Sequence, residues 1–217
     1  MKESLFCKIF ENMKDFDVYL FDFDGTLVDS RDALEVVFKG AYAAVGVDVP
    51  SDYIVRLMRI PLPQGYEELH APMDKADLFA SEIIRLLDDE DALRKTKSYP
   101  DVLESLIRLH KNGKTLGIVT SNNVKHVRDV LRFLNIDENL FKIIVGNKET
   151  KKHKPNPDPL LKGLELLEIG PEGVCYVGDG MDDMTSAIAS GITPVLLDRR
   201  NEYKDLPFIM IKSLNEL

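Results

Sequence analysis

A chain of 217 residues with a formal net charge of −9 is long enough to bury one α/β domain, or a core with a smaller insert. That acidity argues against nucleic acid or an anionic membrane as principal partner, because both reward an excess of Lys and Arg. With 44% hydrophobic and 30% charged residues, the composition is that of an ordinary soluble globular protein.

In chain order, the first 16 residues carry some helical apolar spacing (Leu5, Ile9, Phe10) but lack the long apolar core of a signal peptide. The first strand is predicted at VYLF, 18–21. It ends in Asp22 and Asp24 and is followed at once by Gly25. Carboxylates at the end of a buried strand are costly unless they are neutralised, bind a cation or react. Residues 30–98 then read as helices, over 33–44, 52–58, about 64–69 and one long helix over 75–97, with Pro61, Pro63 and Pro72 at the joints. In this reading 30–98 is a helical domain inserted into a core made of 1–29 and 99–217.

Beyond Tyr99-Pro100, strands and helices alternate. Val102, Leu103, Leu106, Ile107 and Leu109 make a helical stripe that stops at Asn112-Gly113. The run LGIV precedes Thr120, and Ser121-Asn122-Asn123 introduces a second helix over Val124, Val127, Val130, Leu131 and Leu134. KIIVG precedes Asn147, and a third helix carries Leu160, Leu161, Leu164 and Leu167. VCYVG precedes Asp179, ITPVLL precedes Asp198, and FIMI offers a last strand. Continuous apolar runs suit strands covered on both faces. Their alternation with helices predicts an α/β fold, a Rossmann-like doubly wound parallel sheet with right-handed crossovers.

In such sheets ligands bind beyond the carboxyl ends of the strands. This sequence places Asp22 and Asp24 there, then Thr120 with Ser121 and Asn122, then Lys154, then Asp179 with Asp183. Asp22, Asp24 and Asp179 together repel unless a cation lies between them, and oxygen donors beside a substrate phosphate are what Mg²⁺ prefers. Lys154 and Thr120 suit the phosphoryl group, one as a point charge and the other as a hydroxyl donor. One aspartate can then attack phosphorus while the other donates a proton to the leaving oxygen.

These segments resemble, in order, the four motifs of the haloacid dehalogenase superfamily. Asp22-Phe23-Asp24-Gly25-Thr26 matches DxDGT, and Ile118-Val119-Thr120-Ser121-Asn122 is similar to the second motif. Lys154-Pro155-Asn156-Pro157 is similar to the lysine motif, and Gly178-Asp179 through Asp183 to the acidic fourth motif. The resemblance implies Asp22 as nucleophile and Asp24 as general acid and base. Mg²⁺ would be held by Asp22, the main-chain carbonyl of Asp24 and Asp179, with Asp183 supporting its water shell. Thr120, Ser121 and Lys154 would hold the substrate phosphate. The spacing to Gly191 favours Asp183 over Asp182. The helical insert resembles the C1-type cap of the phosphoglycolate phosphatase-like branch, whose closure excludes water.

The activity implied is a Mg²⁺-dependent phosphatase acting on a small phosphorylated metabolite, in the cytoplasm, with neither nucleic acid nor membrane as partner. The two distant cysteines, Cys7 and Cys175, fit that reducing compartment. Three alternatives stand beside it, one of them a catalytically idle binding protein on the same fold, whose signature would be a lost motif residue where none is lost here. A sugar-phosphate mutase would use the same site, but Leu34 and Leu62 stand where the mutase relatives carry His and Arg. A phospho-aspartate signalling module would need neither DxDGT nor a helical insert. Arg56 and Arg59 are read as surface arginines rather than substrate contacts, and His153 as a bystander. Asp88-Asp89-Glu90-Asp91 is read as a solvated helix face or end.

Overall fold

The structure is a computed structural model that describes residues 15–57, 60, 62–204 and 206–217. Cys7, Arg59 and the apolar spacing at Leu5, Ile9 and Phe10 lie outside the described residues. The chain divides into two compact units. One runs to Val28 and resumes at Ser98 to the end, and the other is Asp29–Lys97. No helix among the described residues is long and apolar enough to cross a membrane.

The first unit is an α/β layer structure of the expected class. Strand β1 (Val18–Phe21) is buried at all four positions, as a central parallel strand must be. The chain next contributes β2 (Val28–Asp29) and β3 (Lys97–Ser98), which pair with each other at the two crossings between units. Helix α6 in chain order, counting the five α-helices among the described residues of the second unit, is Val102–Lys111, followed by β4 (Thr115–Val119). Then come α7 (Val124–Phe133), β5 (Ile143–Val145), α8 (Asp158–Leu167), β6 (Val174–Gly178), α9 (Met181–Ser190), β7 (Thr193–Leu197) and β8 (Ile209–Ile211).

The six strands order as β5-β4-β1-β6-β7-β8, and every pairing is parallel. From β1 the chain steps one way to β4 and β5, then returns to build the other side. The strand order therefore reverses about β1, which makes the carboxyl end of β1 the switch point. The helices end where local chemistry says they should. Arg108, His110 and Lys111 sit in the last turn of α6, complementing its dipole, and Gly191 closes α9 in the left-handed region. Cys175 is a fully buried free thiol in the core.

The second unit is helical: α1 (Arg31–Ala44), α2 (Ser51–Leu57), α3 (Leu62–Glu68), α4 (Ala76–Leu87) and α5 (Glu90–Lys95). The single long helix expected over 75–97 is two. Asp89 leaves the helical conformation, and its carboxylate accepts a hydrogen bond from the Asp91 N–H at 3.0 Å, so it caps α5 instead of continuing α4. Four consecutive acids also repel along a shared helix. Arg56 pairs with Glu68 at 2.7 Å and lies 5.7 Å from the Tyr53 ring centroid, so its charge is engaged inside its own unit.

The core of this unit is aromatic. Tyr42, Tyr66 and Phe79 pack with ring centroids 4.6–6.4 Å apart. Tyr42 is fully buried and its hydroxyl has no hydrogen-bond partner among the described residues, a desolvated polar atom with nothing in return. Tyr42→Phe is therefore expected to stabilise the protein by about 1 kcal/mol. Chemical denaturation would show this as a higher midpoint at unchanged slope, and a lower midpoint would mean the hydroxyl has a partner in solution.

Candidate active site

The apolar drive that buries β1 carries Asp22 to the sheet's switch point, where it is only 7% exposed. Its neighbour Asp24 is half-buried, and the side-chain amide of Asn122 donates a hydrogen bond to its Oδ2. Between and after them the chain must turn sharply. Gly25 takes φ +78°, and a Cβ there would stand 2.5 Å from the Asp179 Cγ. Only glycine satisfies both demands.

Strand β6 delivers Asp179 at its end, and the first turn of α9 delivers Asp183. Gly178 leaves the room that Asp183 occupies, since a Cβ on Gly178 would lie 2.5 Å from the Asp183 Cβ. Asp183 Oδ2 accepts the Gly180 N–H at 3.0 Å, anchoring the carboxylate at the helix N-terminus. Asp182 is exposed, whereas Asp183 is buried. One oxygen each from Asp22, Asp179 and Asp183 lie within 4.8 Å of one another.

Lys154 reaches this group from the loop before α8. Its Nζ donates to Asp22 Oδ1 at 2.7 Å, to Asp183 Oδ1 at 2.6 Å and to the Tyr176 hydroxyl at 2.9 Å. Thr120 is buried at the end of β4, and its Oγ1 accepts the Asn122 N–H at 3.2 Å. Helix α7 is capped by Asn123, whose side chain accepts the His126 N–H at 2.8 Å, so Thr120 is not the cap. Ser121 is exposed in the turn between them.

The electrostatics follow from the crowding. Burial pushes the Asp22 carboxyl well above its ordinary range, Asp183 and Asp179 add to that, and Lys154 opposes it. Asp179 is pushed up to about 6, chiefly by burial and then by Asp183. Burial alone would lower Lys154, but the carboxylates of Asp183 and Asp22 outweigh it and hold the ammonium well above its usual value. Three hard oxygen donors clustered within 4.8 Å are the donor set a Mg²⁺ ion fits, with water and a phosphate oxygen completing its shell.

Three contacts escaped sequence reasoning. Tyr176 holds Lys154, and its only sequence signal is one phenol in an otherwise apolar strand. Asn122 reaches Asp24 across 98 positions. Arg199 lies 4.0 Å from the Tyr99 ring centroid, pairs with Asp101 at 2.9 Å and donates to the Thr26 carbonyl at 3.1 Å. It thus ties down the turn that follows Asp24, and no local pattern announces it.

A parallel α/β sheet with acids and one buried ammonium converging at its switch point is the construction of an enzyme. The model of the haloacid dehalogenase-like hydrolases matches residues 19–197, and the chain belongs to that family. A protein of Caldanaerobacter subterraneus subsp. tengcongensis, provisionally named pyrophosphatase PpaX, is 31% identical over 197 residues, covering 89% of this chain and 84% of its own. The phosphoglycolate phosphatase of Salmonella typhimurium is 31% identical over 225 residues, covering 91% and 89%. Among solved structures, a protein of Bacteroides fragilis provisionally described as a haloacid dehalogenase-like hydrolase superposes with a TM-score of 0.81 at 28% identity, covering 93% of this chain and 99% of its own. The chain is an enzyme of the phosphatase type within this family.

Proposed function

We propose that this protein is a Mg²⁺-dependent phosphomonoester hydrolase that works through an aspartyl-phosphate on Asp22. The observation that carries the reading is the convergence of Asp22, Asp179 and Asp183 within 4.8 Å about a buried lysine that binds two of them. Asp22, Asp179 and the main-chain carbonyl of Asp24 would hold the metal, with Asp183 behind them. Bound there, Mg²⁺ supplies positive charge that offsets the clustered carboxylates and the phosphoryl oxygens.

The chain's own residues do the rest. Lys154 and Thr120, with Ser121 beside it, hold the phosphoryl group. An oxygen of Asp22 attacks phosphorus, and the ester P–O bond breaks as the Asp24 carboxyl gives its proton to the leaving alcohol. The Asp24 carboxylate then takes a proton from water as that water attacks phosphorus. The P–O bond to Asp22 breaks, releasing inorganic phosphate, and Asp24 is again protonated. The amide of Asn122 on Asp24 Oδ2 orients the carboxyl for both transfers. Residues 30–98 are read as a cap domain of the C1 type.

The substrate class is a small phosphorylated metabolite. The names of the relatives put phosphoglycolate and pyrophosphate at the head of a test panel. Phosphate release from that panel is expected with Mg²⁺ and is expected to vanish when the metal is chelated. Borohydride quenching during turnover should convert Asp22 to homoserine, read by mass spectrometry. Turnover that survives chelation, or modification at another residue, would refute the mechanism.

A further inference from the structure

The geometry points to Tyr176 as a positioning residue for the reaction, one that sets the direction of the Lys154 ammonium; this rests on the phosphatase reading. An ammonium has three N–H donors, and Lys154 has three acceptors: Asp22 Oδ1, Asp183 Oδ1 and the Tyr176 hydroxyl. Two carboxylates alone leave the ammonium free to swing about the line between them. The phenol supplies the third direction.

That phenol is itself fixed. Its O–H donates to the main-chain carbonyl of Val119 at 2.7 Å, the residue before Thr120. This bond is much shorter than the hydroxyl's other possible donation, to Asp183 Oδ1 at 3.4 Å, so the proton goes to Val119 and an oxygen lone pair faces Lys154. Its ring belongs to the buried cluster with Leu20, Val119, Leu160, Leu164 and Ala187, where a side chain has little freedom. Along this face of β6 the next inward position is Gly178, which has no side chain. The Tyr176 hydroxyl and Asp183 therefore meet Lys154 over bare backbone. One hydroxyl thus links the strand that bears Asp179, the strand that ends at Thr120 and the lysine loop.

The chemical identity matters as well. A third carboxylate would hold Lys154 as firmly but would add negative charge where a phosphoryl dianion must enter. A phenol buried this deeply stays neutral, because burial pushes its ionisation well above the ordinary value. The ammonium keeps its direction and retains its net attraction for phosphate.

The test is Tyr176→Phe, which keeps the ring and removes the hydroxyl. We expect kcat to fall about tenfold and the competitive inhibition constant of inorganic phosphate to rise about tenfold, the scale of one hydrogen bond to a charged group. In a Lys154→Met background the same change should leave phosphate affinity where Lys154→Met alone put it, because the effect passes through the ammonium. A residue that only supported the fold would lower the melting temperature and leave kcat and phosphate inhibition per folded molecule unchanged, and that result overturns the assignment. Additive losses in the double variant overturn it too. If Tyr176→Phe does not fold, 3-fluorotyrosine at 176 weakens the acceptor within the same shape and should move both constants in the same direction. A wild-type enzyme that hydrolyses no phosphomonoester overturns the phosphatase reading, and this assignment with it; an active wild type matched by Tyr176→Phe overturns this assignment alone.

Discussion

Asp22→Asn is expected to lower phosphatase turnover at least about a thousandfold while the protein remains folded, since a neutral amide cannot form the covalent intermediate and no neighbour can replace it. Asn has nearly the shape of Asp, so the end of β1 keeps its packing. Burial raises the Asp22 carboxyl well above its ordinary range, so its charge costs the fold stability and its removal takes no stabilising charge away. Lys154 loses one charged partner but keeps Asp183 and Tyr176. The comparison to make is steady-state turnover beside a thermal melt of each protein. Loss of turnover with an intact melt ties the defect to chemistry. Turnover within tenfold of wild type would remove Asp22 as nucleophile and with it the aspartyl-phosphate.

Much of this site was legible in the sequence because its carriers are local. An apolar run that ends in a polar side chain marks the end of a buried strand, and the runs before Asp22, Thr120 and Asp179 all became adjacent strands. The helix end marked by Asn112-Gly113 was equally plain, because a glycine in the left-handed region is the signal itself. What periodicity missed depended on competition or on distance. The break at Asp88-Asp89 lies inside an apolar stripe that continues on either side, and only the capping hydrogen bond to Asp91 decides it. The contacts of Tyr176 with Lys154, 22 positions away, and of Arg199 with Thr26, 173 positions away, exist only once the sheet has formed. Sequence pattern finds residues that act through their own strand or turn. It does not find those that act by holding another residue in place.

In the proposed mechanism Asp179 is a metal ligand, and its replacement is expected to move metal binding and folding in opposite directions. In the metal-free protein its carboxyl is pushed from an ordinary 3.8 up to about 6, by burial first and by Asp183 next. Between those values the folded state holds a proton that the unfolded state has lost. The stability tied to this group is therefore full below pH 3.8 and is lost as pH rises through about 6. Above that, ionised Asp179 costs the metal-free fold about 3 kcal/mol. Asp179→Asn removes this cost, so the metal-free variant should melt higher than wild type at pH 8 and match it more closely near pH 4. Added Mg²⁺ should raise the wild-type melting temperature by stabilising the folded state it binds, and should leave the variant's unchanged. Turnover should fall at least about a hundredfold, because the charge that offsets the phosphoryl oxygens is no longer held. Melting curves at the two pH values, with and without Mg²⁺, read all of this from two proteins. A variant that melts below metal-free wild type at pH 8, or that gains as much from Mg²⁺ as wild type does, would remove Asp179 from the proposed metal site.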